Sequence, residues 1–252
     1  MTPGCIQVCE LLDWDTDFWG FRVATVLGHS LTEEKAKQID QWCRQQDITC
    51  LYFLASSESF ETTTIAESSG FRFVDVRLTF AHTLARLPPP AIAPANGSLR
   101  IRPSRLADID ALQLIARTSY VDTRFYYDQA FPRHLCNALY ETWIKRSCEG
   151  YADIVLVAEG SGEPVGYITC HLGDERAVSR IGLLGVDQRV RGQGVGQRLI
   201  RGSLEWLQGQ GMQETTVVTQ ARNSAAQRLY QRCGFLTKEV QLWYHKWYGP
   251  GG

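Results

Sequence analysis

This sequence predicts an α/β (α+β) chain in two halves, and three observations carry that expectation. A run rich in Ile and Leu, 177–186, leads directly into Val186-Asp187-Gln188-Arg189-Val190-Arg191-Gly192-Gln193-Gly194-Val195-Gly196-Gln197-Arg198-Leu199, a glycine-punctuated turn that opens an amphipathic helix. Both ends of a second helix are written in the sequence, with Asn223 as its N-cap and Gly234 as its stop. A gapless shift of 164 residues lays much of the first half on the second, the mark of an internal duplication.

In chain order, the first half reads as strand, helix 32–45, strand 48–54, helix 59–68, the stop Gly70-Phe71, and a strand containing Phe73-Val74-Asp75-Val76-Arg77. Residues 87–98 carry the proline content of a stiff linker and divide a smaller unit, 1–87, from a larger one, 99–248. Downstream come a strand at 99–103, helices near 106–118 and 132–147, and strands 154–158, 165–171 and 177–186. Gly160-Ser161-Gly162 and Gly173-Asp174 turn the chain between these strands. The helix from Val195, a strand 214–219, the helix after Asn223 and a last strand complete the order. Under the 164-residue shift Trp42 falls on Trp206, Ser59 on Asn223, Gly70 on Gly234, Phe71 on Phe235, Val76 on Val240 and Leu78 on Leu242. Arg191, Gly194, Gly196 and Tyr230 instead meet Leu27, Ser30, Thr32 and Ala66, so the first half keeps the framework and lacks the chemistry.

The turn at 191–196 reads as an anion cradle. Its glycines let the backbone approach a phosphate, successive N–H groups face it, and the following helix adds its positive end. The spacing is not that of an ATP loop, and the lysine such a loop needs is absent. Arg191-x-x-Gly194-x-Gly196 resembles the Q/R-x-x-G-x-G/A turn of the GNAT acetyltransferases, and Asn223, Ala226, Tyr230, Gly234 and Phe235 match that family's N-x-x-A-x-x-x-Y-x-x-x-G-F signature. The resemblance spans about 99–248. It implies a GNAT fold, a mixed and mostly antiparallel sheet flanked by helices, here preceded by a smaller truncated GNAT-like domain. It also implies acetyl-coenzyme A as co-substrate, held by Leu184, Gly185 and Val186 through their main chain, by the loop Arg191, Gly192, Gln193, Gly194, Val195 and Gly196, and by Asn223, Ala226 and Tyr230.

Acetyl transfer to an amine needs a neutral nucleophile, an oxyanion site and a proton for the leaving thiolate. By the same resemblance Tyr230 is the general acid, since a phenol is protonated at neutral pH; packing of its ring in the core is the alternative. Asn223 either bonds the coenzyme or only caps its helix. Asp75 is a candidate base acting through water, with a plain solvent-facing carboxylate as the alternative.

The connection Ser119–Asp128 would cover the acceptor. Arg124 could pair with a phosphate and Tyr126 or Tyr127 could stack on a base or sugar; otherwise this is a surface loop stapled to the core by aromatics. Trp14-Asp15-Thr16-Asp17-Phe18-Trp19-Gly20 and Thr123-Arg124-Phe125 resemble segments of a narrower group, the two-domain dTDP-fucosamine (dTDP-4-amino-4,6-dideoxygalactose) acetyltransferases. That implies a nucleotide-linked deoxyaminosugar as acceptor. A protein N-terminus or lysine, an amino acid, a polyamine or an antibiotic remain alternatives, as does a non-catalytic acetyl-coenzyme A sensor, which would have no need of Tyr230.

Composition bounds the remaining partners. A net charge of -1 argues against nucleic acid, and no apolar run approaches the roughly 20 residues of a membrane span. Eight scattered cysteines without paired spacing read as core filler in a reduced cytoplasm, with no metal site expected. A homodimer is compatible with the sequence, which does not decide it.

Overall fold

The computed structural model describes residues 7–86, 99–173 and 177–249. The proline-rich segment 87–98 and Asp174 of the second turn lie outside the described residues. Ten strands form one sheet: β1 (Cys9–Leu11), β2 (Val23–Val26), β3 (Cys50–Ser56), β4 (Arg72–Thr83), β5 (Arg100–Pro103), β6 (Ile154–Gly160), β7 (Glu163–His171), β8 (Val178–Val186), β9 (Glu214–Gln220) and β10 (Leu236–Trp247). Their order across it is β1-β2-β3-β10-β4-β9-β8-β7-β6-β5. Among the described residues only β2–β3 and β8–β9 run parallel, so the sheet is mixed and mostly antiparallel as expected.

Helices α1 (Asp13–Trp19), α2 (Glu33–Gln45), α3 (Phe60–Ser68), α4 (Ile109–Arg117), α5 (Arg124–Tyr127), α6 (Arg133–Arg146), α7 (Val195–Gly209) and α8 (Ser224–Arg232) flank the sheet. Repeated helices end in the same way. Ser59 and Asn223 accept bonds from Thr62 N–H and Ala226 N–H, and Gly70 and Gly234 take the left-handed conformation that follows α3 and α8. α7 buries Val195, Leu199, Ile200, Leu204 and Leu207, the spacing of one helical face.

The halves do not sit as separate bodies. β10 of the second half lies between β3 and β4 of the first, and β4 lies between β9 and β10 of the second. The exchange is symmetric: Arg77 is opposite Gln241 and Gln220, while Gln241 is opposite Arg77 and Ser56. The Arg77–Gln241 pair thus marks a local two-fold between the repeats.

Strand alternation sends side chains to two cores. On one face Trp19, Tyr52, Phe125, Phe131, Tyr140 and Tyr167 form a cluster drawn from both halves. The other face carries a cluster under α7 and α8, and a second under α2 and α3. The Trp14–Gly20 segment forms α1. Trp14 stacks on Phe18 at 5.0 Å and Trp19 packs on Phe131 at 4.6 Å, so it works as a clamp between the halves.

Residues 99–252 alone would leave β9 and β10 without the strand that joins them. That fragment is expected to lack a cooperative thermal transition, and co-expression with 1–98 to restore one. A cooperative melt of the isolated second half would show β4 to be dispensable.

Candidate active site where β8 and β9 part

β8 and β9 pair from Val178–Glu214 to Ile181–Val217 and then separate, although β8 continues to Val186 and β9 to Gln220. β9 stays in regular register with β4 on its other edge, whereas β8, paired with β7 as far as Val186, carries a register shift between Ile181 and Leu184, where the gap begins. On β8, Leu183 N–H donates to Thr169 Oγ1 and Asp187 N–H to the Val165 carbonyl, which face β7. By alternation the main-chain groups of Leu184 and Val186 face the gap. Gly185 serves the other side: a Cβ there would come within 2.7 Å of the Tyr167 ring.

At the end of the gap stands the N-terminus of α7. Gly192 and Gly194 have φ of +78° and +80°, backbone that other residues rarely adopt. The first intrahelical bond runs from Arg198 N–H to the Gly194 carbonyl, and Gly194 has no side chain to cap the helix. The N–H groups of Val195, Gly196 and Gln197 therefore have no partner within the helix, which makes this a site for an anion. Gly196 has a different reason to be glycine, because a Cβ would lie 2.9 Å from Leu229 of α8. Arg191 braces the loop by donating to the carbonyls of Val186, at 3.1 Å, and Thr118, at 3.3 Å. Gln193 bonds the Arg189 carbonyl on the exposed side and does not line the cleft.

The repeat's counterpart, α2, is filled by its own side chains. Thr32 caps it through Lys35 N–H, and Lys35 Nζ covers the loop carbonyls of Leu27 and Ser30.

A cavity of about 940 Å³ runs from the α7 end to the α4–α5 connection, lined by Leu183 and Leu184, whose side chains point to opposite faces. The cleft therefore passes through the sheet. Tyr230 reaches it from the α8 side, its ring packed on Phe235 and Phe80. Burial, with Cys233 nearby, raises its phenol above the usual range and keeps it protonated. From the other face comes Tyr120, stacked on Tyr140 at 4.1 Å and accepting a bond from Tyr167. Asn223 and Ala226 lie on the wall, with the Asn223 carbonyl oxygen engaged in capping.

Arg124 is on the wall as expected; Tyr126 and Tyr127 are not. The short helix α5 turns Tyr126 toward α6, where its hydroxyl bonds Asn137 and Arg133 covers its ring. Tyr127 is exposed and lies under Arg222. Asp75 neither faces solvent nor lines the cleft. It is 1% exposed and forms an ion pair at 2.8 Å with Arg222, whose Nη1 also donates to the Val74 carbonyl. Burial raises its carboxyl and opposes the charged form a base needs.

The sequence reading missed what holds Arg124. Its guanidinium sits 4.1 Å from the Trp243 ring, 4.2 Å from Phe125 and 4.4 Å from Tyr52. Nη1 donates to His245 Nε2 at 3.0 Å, and His245 Nδ1 donates to Asp128 at 2.7 Å. Arginine only donates, so His245 is the neutral tautomer with its proton on Nδ1. Burial pushes His245 down to about 4. Burial of Asp128 works against its ionisation, but the His245 and Trp247 N–H groups outweigh it and hold the carboxyl below the usual range. Gln220 completes the frame by accepting from Arg124 N–H at 2.7 Å.

Residues 115–235 match the model of the Acetyltransferase (GNAT) family. The chain is 25% identical to the dTDP-fucosamine acetyltransferase of Escherichia coli over 244 residues, 94% of this chain and 97% of that protein. It is 26% identical to the spore coat polysaccharide biosynthesis protein SpsD of Bacillus subtilis over 163 residues, 65% of this chain and 56% of that protein, so it spans little more than half of that relative. A GCN5-related N-acetyltransferase from Sphaerobacter thermophilus shares the fold, with a TM-score of 0.67 and 20% identity over 97% of this chain and 77% of that one. Among the described residues no helix is long and apolar enough to cross a membrane.

The neutral, buried His245 makes stability depend on pH. Between pH 6.5 and about 4 the unfolded chain binds a proton there that the native chain refuses, so stability falls as pH falls through this window. The effect is on the order of 3 kcal/mol. Urea unfolding at pH 7 and pH 4.5 should give a shallower difference for His245→Asn than for the wild type; equal slopes would remove His245 from this role.

Proposed function

We propose, from the match of residues 115–235 to the GNAT acetyltransferase family, that the chain is a member of it and an acetyl-coenzyme A-dependent N-acetyltransferase acting on the amino group of a nucleotide-linked deoxyaminosugar. The observation that carries the reading is the parted β8–β9 pair ending at the uncapped α7 N-terminus, with Tyr230 facing the same cleft. The main-chain groups of Leu184 and the Val186 N–H, which face the gap, suit an amide-bearing arm, and the N–H groups of α7 suit its diphosphate.

In this mechanism the neutral amine attacks the thioester carbonyl directly. A main-chain N–H of the β8 gap, at Leu184, faces the developing oxyanion. As the carbon–sulfur bond breaks, Tyr230 donates its phenolic proton to the thiolate, and the amine's surplus proton leaves through solvent, since Asp75 is off the wall. Retention of a buried, protonated phenol on the cleft supports catalysis over mere coenzyme sensing.

The acceptor class is supported by the end-to-end likeness to the dTDP-fucosamine acetyltransferase and by Arg124, cushioned on aromatic rings at the cleft wall. Mass spectrometry of reactions with acetyl-coenzyme A and a panel of nucleotide-linked aminosugars, peptides and polyamines should find acetylation of an aminosugar nucleotide. Good turnover of peptides or polyamines with none of any aminosugar nucleotide would overturn that acceptor class. Tyr230→Phe should lower kcat by ~10²- to 10⁴-fold with coenzyme affinity nearly unchanged; undiminished turnover where chemistry is rate-limiting would remove the general acid.

Gly194→Ala tests the cradle. Space is open, the nearest atom to a Cβ being Gln197 Oε1 at 3.8 Å, so the substitution acts through the backbone, at a cost of ~1–2 kcal/mol. The loop is expected to shift and weaken acetyl-coenzyme A binding by about tenfold or more, that is ~1.4 kcal/mol, in calorimetry on folded protein. Unchanged affinity would put the diphosphate elsewhere.

A further inference from the structure

Arg77 of β4 lies in the cleft wall although its strand belongs to the half without a coenzyme site. It faces Gln220 on β9 and Gln241 on β10, so the three side chains share one face of the sheet. Trp243, two residues beyond Gln241, lies on the same face and carries Arg124 on its ring. Gln220 connects the two arginines: it is the cross-strand neighbour of Arg77, and its side chain accepts from Arg124 N–H. Of the six arginines that line the cleft (Arg77, Arg124, Arg180, Arg191, Arg228 and Arg232), Gln220 thus links two, one from each half of the chain.

Neither is neutralised by an ion pair among the described residues. Arg77 is half-buried, and its one hydrogen bond is a long contact of 3.5 Å to Gln241. Around them, Asp75 is matched to Arg222 and Asp128 to His245 and Trp247. Asp15 faces Arg124 and Glu239 faces Arg77 from the neighbouring strand, neither within ion-pair distance. A desolvated charge without a close partner is costly unless a ligand supplies one. The two guanidinium groups line one cavity and lie close enough for the charge of Arg124 to oppose that of Arg77, and such a pair suits an anion with two charged groups better than a single carboxylate.

We infer that Arg77 and Arg124 form a two-arginine site for the diphosphate of the acceptor, built only because β4 is exchanged into the second half. The inference rests on the acceptor class proposed above and deepens it. Asp128 and His245 are positioning residues, holding Arg124 through its Nη1 and leaving its remaining donors for the ligand.

The test is calorimetric binding of dTDP to enzyme saturated with coenzyme A, which occupies the α7 cradle. Thymidine, which lacks the diphosphate, is the control. Wild type should bind dTDP and not thymidine. Arg77→Gln should weaken dTDP binding at least tenfold, Arg77→Gln with Arg124→Gln should abolish it, and Arg77→Lys should recover part of the loss. Coenzyme affinity and thermal midpoint should hold in Arg77→Gln, because the charge removed has no ion-pair partner among the described residues and its side-chain contact with Gln241 is long. Failure of wild type to bind dTDP, or wild-type affinity in folded Arg77→Gln, would overturn the site. The readout needs no turnover. If the arginines bind dTDP but no aminosugar nucleotide is acetylated, the proposed reaction falls and the site stands. If aminosugar nucleotides react with an unchanged KM in Arg77→Gln, the reaction stands and the site falls.

Discussion

The antiparallel pairing of β4 with β10 is the contact on which the rest depends. Each of these strands ends one repeat and completes the other, so the two halves fold as one sheet with Arg77 and Gln241 at the local two-fold. Ladder hydrogen bonds along its length fasten β9 to β4, which leaves β9 little freedom to follow β8. The cleft opens where β8 shifts its register on β7 while β9 stays on β4. The same pairing brings β10, with Trp243 and His245, beneath the α4–α5 connection, and so gives the acceptor loop a floor.

A symmetric framework carries an asymmetric site because the repeats differ between the parallel strand and the helix after it. β2 is four residues long and β8 is nine. The additional length of β8 runs past its pairing with β9 and forms the wall of the gap. At the helix that follows, Thr32 and Lys35 satisfy the loop of α2 internally, whereas glycine at 194 leaves the N–H groups of α7 open. A short loss of side chains separates a closed turn from an anion site.

What the sequence disclosed and what it hid divide along the range of the interactions. The α7 cradle, the caps Ser59 and Asn223, and the stops Gly70 and Gly234 depend on neighbours within a few residues, so spacing reveals them. The 164-residue register was legible for a related reason, since both copies obey the same local rules. Arg77, Gln220, Trp243 and His245 meet only through the strand order β9-β4-β10, and no local signal marks them. Tyr126 and Tyr127 leave the cleft because the connection coils into a short helix that composition alone does not mark. In α5 the backbone turns by about 100° per residue, which sends Arg124 inward and the tyrosines away. Asp75 misled because strand alternation says which face a side chain takes but not that Arg222 covers that face.

The features that mark the cleft are each unfavourable in the empty protein: parted strands with open backbone groups, a helix start without a cap, and arginines, Arg77 and Arg124 among them, without an ion-pair partner among the described residues. Elsewhere in the chain buried charged and titratable groups can be fully matched, as Lys246 is by Asp40 and the Ser69 carbonyl, and His245 is on both ring nitrogens. The unmatched groups of the cleft contrast with these. They are tolerable because the cleft is open to water, and they become favourable when ligands supply acceptors to the N–H groups of α7 and anions to the arginines. The symmetric sheet provides the rigidity that keeps them in place meanwhile. Arg124 shows how this is done: rings on three sides and His245 at one nitrogen fix its plane, so little rotamer freedom is left to lose when a ligand binds.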